Sequence, residues 1–228
     1  MAYPESLVGT FIELDYTKTS PPNEGLNGVL TGPSSNLSVH VHRYTASRMV
    51  SAGAPAVPRR FAGQPPWDIT FLQYVPGEVT TAKLTSPVLT GPMSGCYLFR
   101  YVVSGETWIA HVGTYDLPTS QLSIKAKACW KDYAGSPRPS GIMGQSPLRF
   151  YSPFEVGAAK IGKLGGVPEI YGLFEPEGKF YSILLAPVGR DVEEIPEARS
   201  LRKLMKFCAL KETYLESWEV IMKKDTFK

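Results

Sequence analysis

The chain has 228 residues, 43% hydrophobic and 20% charged, with 20 Pro and 21 Gly. That is enough apolar material to bury a substantial core, and so many turn formers favour a β-rich architecture over a helical bundle. A net charge of +3 is too slight to indicate nucleic-acid binding, and no apolar run approaches the roughly 20 residues of a membrane span.

Leu7 to Tyr16 reads as a first strand, with Ile12 and Leu14 on one face. The polar segment 17–27 follows, then a short strand around Val29 and Leu30 that breaks at Gly32-Pro33. Leu37 to His42 alternates cleanly and places His40 and His42 on one face. Such a pair can ligate metal, but no third ligand stands nearby, so the pattern predicts solvated histidines and no metal site. Arg43, Arg48, Arg59 and Arg60 add local positive charge. Ser51 to Pro66 reads as a long loop, Trp67 to Tyr74 and Val79 to Leu84 as strands, and Thr90 to Cys96 as a small-residue turn.

Thr119 or Ser120 caps a predicted helix that runs through Tyr133, with Leu122, Ile124, Ala128 and Trp130 as its apolar positions. Gly135 to Ser146 reads as a loop. Strands are predicted over Phe150 to Val156, Pro168 to Phe174 and Lys179 to Ala186. The segment Gly162 to Gly166 lacks the spacing of a phosphate loop and reads as a turn. Leu201, Leu204, Met205 and Cys208 recur at helical spacing, which predicts a helix over Pro196 to Leu210, and Tyr214 to Met222 reads as a last strand. The expected fold is a single α/β (α+β) domain over residues 1–228, built on a mostly antiparallel β-sandwich with outer helices. No targeting segment is read at the start, which predicts a protein made in a cytoplasm.

Of the three cysteines, Cys129 and Cys208 fall in helical patterns and read as core, while Cys96 sits in the turn. Their spacing suggests neither a disulfide framework nor a zinc site. Cys96 is followed by a predicted hairpin: Tyr97 to Val103, a Ser104-Gly105 turn, and Thr107 to Val112 returning. With Val103 opposite Thr107, Cys96 falls near His111 or a little beyond it. A thiol and an imidazole on paired strands can share a proton, and the resulting thiolate is a strong nucleophile. Ser94 and Gly95 form a turn whose backbone N–H groups can receive an oxyanion. Asp116 is a possible orienting acid for His111 or a helix cap. The bland reading stands beside this one: a buried cysteine packed near a structural histidine.

The run Met-Ser-Gly-Cys (93–96), the hairpin and His-x-Gly-Thr (111–114) resemble the glutamine deamidase toxins, the family of cytotoxic necrotizing factor and Burkholderia lethal factor. The opening strand at 11–15, the Ser-Pro-Pro-Asn loop at 20–23 and the Leu-Ser-Val-His-Val-His strand at 37–42 follow the same order. The resemblance implies that Cys96 attacks a glutamine carboxamide and that His111 is the base. It further implies a main-chain carbonyl orienting the histidine, for which Thr90 is the match by position.

What the resemblance implies is a monomeric, cofactor-independent effector, made in a bacterial cytoplasm and delivered to the cytosol of a host cell. Its partner there would be a host protein carrying the target glutamine, a Rho-type GTPase or a translation-initiation RNA helicase. Two alternatives stay open: another cysteine hydrolase or transglutaminase on the same pair, and a non-catalytic interaction protein.

Overall fold

The computed structural model describes residues 8–9, 11–17, 23–24, 29–31, 34–42, 67–93, 95–115, 117–159, 166–195, 200–224 and 227. Within them the chain is α+β, with two mostly antiparallel sheets and few helices, as the sequence predicts. The first sheet comprises β1 (Phe11–Thr17), β4 (Ser34–His42), β5 (Trp67–Gln73), β7 (Val88–Met93), β11 (Glu169–Phe174), β12 (Phe180–Ile195) and β13 (Ser200–Thr213). It closes on itself as a barrel in the order β1-β13-β12-β11-β7-β5-β4, because β4 pairs back with β1.

The second sheet is open and comprises β2 (Asn23–Glu24), β3 (Val29–Thr31), β6 (Val79–Lys83), β8 (Tyr97–Val103), β9 (Glu106–Val112), β10 (Ser140–Gln145) and β14 (Glu216–Ser217), in the order β14-β10-β8-β9-β6-β3-β2. Three helices accompany them: α1 (Gln121–Ala134), α2 (Pro153–Ala158) and α3 (Trp218–Lys223).

Alternation along the barrel strands sorts side chains into two layers. Ile69 and Phe71 of β5, Leu89 of β7, Tyr171 and Leu173 of β11, and Met205 and Phe207 of β13 join one buried cluster. The intervening Leu72, Val88 and Phe174 point the other way and pack on Ala82, Leu98 and Ile109 of the open sheet. The opposite face of that sheet, carrying Phe99 and Tyr101, packs on Trp130 of α1. The open sheet is therefore buried on both faces at its centre.

The chain crosses between the sheets repeatedly, and one crossing sets up the site. Strands β5 and β7 are parallel neighbours in the barrel, and the chain between them crosses to the open sheet as β6. Parallel neighbours require such a crossover. Its consequence is that Leu72 and Thr90 are register partners on the barrel, while Thr80 of β6 is paired with His111 of β9.

Several expectations are corrected. Thr90 to Met93 is the end of β7 and not a turn, held between β5 and β11. The 135–146 loop contains β10, which pairs with β8. Phe150 to Val156 is not a strand: a 3-10 turn over Pro147–Phe150 and helix α2 lie there, and α2 begins with a Ser152/Glu155 capping box.

The helix expected over 196–210 is instead β13, paired with both β12 and β1. Met205 and Phe207 enter the barrel while Lys206 and Cys208 are only half-buried, so period two prevails where ladders on both sides satisfy the backbone. Cys208 is thus a strand residue. The predicted last strand is largely α3, preceded by the two residues of β14.

The helix after the hairpin forms as predicted, with Ser120 accepting the Ser123 N–H as its N-cap. Its buried face is Ser123, Ala126, Lys127, Trp130 and Tyr133, so Leu122 and Ile124 are left exposed. His40 and His42 lie on β4. Ser94, Asp116, the arginines at 43, 48, 59 and 60, the 51–66 loop and 161–165 lie outside the described residues.

Candidate active site

Strands β8 and β9 form the predicted hairpin one residue out of the expected register: Val103 pairs with Glu106 and Leu98 with His111. Ser104 and Gly105 form the turn with positive φ values of 52° and 79°, the backbone that a two-residue hairpin prefers. Pairing ends at Tyr97↔Val112, which puts Cys96 just beyond the ladder. By alternation Cys96, Leu98 and His111 share a face, and Cys96 and Leu98 belong to the inter-sheet core. Cys96 and His111 are therefore diagonal neighbours, which in antiparallel sheets stand about 7–8 Å apart at the backbone. Both are 1% exposed.

His111 is held from the barrel side. Its Nδ1 lies 2.6 Å from Thr90 Oγ1, and the same hydroxyl lies 2.7 Å from the Leu72 carbonyl. A hydroxyl has one proton. Given to Leu72 O, it leaves Oγ1 to accept from Nδ1–H, and the imidazole is fixed with its proton on Nδ1. Nε2 then carries the free lone pair, is buried, and finds no hydrogen-bond partner among the described residues. Burial alone holds the imidazole pKa at about 3, far below the usual 6.5, so it is neutral at ordinary pH and takes a proton readily only when a negative charge forms beside it. The resemblance implies that the Thr90 main-chain carbonyl orients His111; the contact observed is made by its side-chain hydroxyl.

Cys96 is held by the residue that ends the His-x-Gly-Thr run. Its Sγ lies 3.7 Å from the Thr114 carbonyl oxygen and 3.7 Å from Thr114 Oγ1. Tyr74 closes the cluster, because its hydroxyl donates to the Thr114 carbonyl at 2.7 Å and its ring stands 5.3 Å from that of His111. Burial, then the charges of Cys96 and Tyr115, push the Tyr74 phenol up to about 12, so it remains a donor.

Two glycines shape the surroundings. Gly95 has φ +144°, a conformation in which a side chain is strained, and a Cβ there would stand 3.6 Å from the Thr114 hydroxyl. At Gly113 a Cβ would lie 2.2 Å from the Val75 carbonyl. That close approach lets Gly113 exchange hydrogen bonds with Gly77 and Glu78, docking the end of β9 on the 75–78 turn that follows β5.

Of the predicted site residues, Cys96, His111, Thr90 and Gly95 come together, and Ser94 is outside the described residues. Tyr74 and Thr114 are members that sequence reasoning missed. Thr114 had a signal, since it closes the quoted His-x-Gly-Thr run, whereas Tyr74 looks like any strand-end aromatic. Among the described residues no group of three His, Cys, Asp or Glu is placed to hold a metal, and no helix is long and apolar enough to cross a membrane. No protein-family model matches the chain, and no curated protein or solved structure matches it.

Proposed function

We propose that the protein is a cysteine-dependent glutamine deamidase whose nucleophile is Cys96 and whose base is His111. The observation that carries this reading is the imidazole: buried, neutral, tautomerically fixed by Thr90, and presenting an unpartnered Nε2 on the face that Cys96 shares. A purely structural histidine normally satisfies both nitrogens. In the reaction Nε2 takes the thiol proton and the sulfur attacks the carboxamide carbon of a target glutamine. The tetrahedral intermediate collapses, returning the proton to the departing ammonia. Water then cleaves the thioester, leaving glutamate and the thiol. Substrate approaches over Gly95, which is half-buried, and Ser94 and Gly95 are assigned the developing oxyanion.

The resemblance supplies the substrate class, a Rho-type GTPase or a translation-initiation RNA helicase in a host cytosol. For a GTPase glutamine that orients the attacking water, conversion to glutamate removes the amide donor. The test is peptide-mass analysis of host-cell proteins incubated with the native chain and with Cys96→Ser. A gain of one mass unit at a single glutamine, absent with the variant, supports the reading. Loss of that signal is expected to exceed roughly 10^4-fold, as for removal of other nucleophiles.

A second reading is favoured by the 1% exposure of Cys96 and its packing among Leu98, Met93 and Ile109. It is an interaction protein in which the cysteine only fills the core. Capture of one partner by both chains, with no mass change in any protein, would establish it.

A further inference from the structure

We infer that Thr114 is a positioning residue for the sulfur, holding Cys96 in both of its protonation states. This deepens the deamidase reading, since it rests on Cys96 being the nucleophile. Thr114 offers the sulfur two groups of opposite character at the same 3.7 Å distance: a carbonyl oxygen that accepts from the thiol and a hydroxyl that donates to the sulfur. A thiol needs the acceptor and a thiolate needs the donor. Hydrogen bonds to ionised acceptors are roughly twice as strong as neutral ones, so the hydroxyl gains strength as Cys96 loses its proton to His111.

The two groups cannot drift. The carbonyl is anchored by the Tyr74 hydroxyl at 2.7 Å, and the residue before it is fixed by the Gly113–Glu78 and Gly77–Gly113 hydrogen bonds. Gly95 supplies a backbone with φ +144° that strains any side chain, while an added Cβ would meet Oγ1 only in ordinary contact at 3.6 Å. A hydrogen bond donated to the charged form favours that form. The Thr114 hydroxyl therefore lowers the thiolate's free energy in a site that otherwise penalises charge; among the described residues, Tyr74 couples to the sulfur's charge, and His111 and Tyr115 flank Tyr74.

The experiment reads the Cys96 thiolate by its ultraviolet absorbance, as the difference between each protein and the same protein carrying Cys96→Ser, titrated with pH. Thr114→Val removes only the donor. It is expected to move the midpoint up by about one pH unit, a roughly tenfold loss of thiolate at a fixed lower pH. Thr114→Ser is expected to restore it, and Thr114→Ala to reproduce the shift if the valine variant folds poorly. A midpoint in folded Thr114→Val or Thr114→Ala that equals the native one overturns the assignment, as does failure of Thr114→Ser to restore it. The deamidase reading fails separately, through absence of any glutamine mass change with the native chain.

Discussion

On one face of the β8–β9 hairpin, Tyr97, Phe99, Tyr101, Ala110 and Val112 pack on Trp130 and Phe227. On the other, Cys96 and His111 face the barrel amid Thr80, Thr90, Thr114 and Tyr74. By alternation the same fourteen strand residues carry an aromatic side and a second side where Leu98 and Ile109 join the apolar core while His111, next to Cys96 just beyond the strand, enters a hydrogen-bonded cluster. The difference in energetics is instructive. An unpartnered buried nitrogen such as His111 Nε2 costs about 1–3 kcal/mol. Phe99 stacks on Trp130 at 4.6 Å and meets Trp218 and Phe227 edge-on, and each such pair is worth about 0.5–1.5 kcal/mol beyond its burial. The aromatic face therefore outweighs the strain that the polar face retains.

The comparison is broken most violently from the aromatic side. Trp130→Ala is expected to destabilise the fold by about 3–5 kcal/mol in urea denaturation, leaving activity per folded molecule within about twofold. An activity loss without a stability loss would mean that the two faces are not separable. From the polar side, Thr90→Val removes the acceptor of His111 Nδ1–H, at about 1–3 kcal/mol. It also releases the tautomer, so deamidation should fall by about tenfold or more while Thr90→Ser retains it.

The last effect is spread over pH as a slope. Because burial depresses the His111 pKa from 6.5 to about 3, the unfolded chain binds a proton over that interval that the folded chain does not. Stability is then full above pH 6.5 and is lost as pH falls from 6.5 toward 3, by about 1.4 kcal/mol per pH unit at most. His111→Asn keeps a donor for Thr90 and has no proton to bind, so its stability curve should lack this component between pH 6.5 and 4. Parallel curves for the two proteins would show that His111 is not buried neutral.

The hairpin and the capped helix after it were legible because their causes are local: a Ser-Gly turn between β-branched and aromatic runs, and Ser120 three residues before Ser123. Strand β13 was misread because Leu201, Leu204, Met205 and Cys208 fit a helical stripe as well as a strand, and only pairing with β1 and β12 chose between them. The Gly91-Pro92 pair favours a turn at 90–93, yet the barrel holds the segment as strand.

Residue order alone was enough to put Cys96 at the open end of the hairpin whose second strand carries His111, with a glycine before the thiol, since short-range pairing and period-two alternation are local. The protonation logic comes from packing at a distance: the Thr90 hydroxyl from the barrel fixes the imidazole, Tyr74 holds Thr114, and burial keeps His111 neutral. Those contacts join residues 18 to 40 positions apart across two sheets, and hydroxyls and carbonyls acquire such roles only when packing brings them within hydrogen-bonding distance.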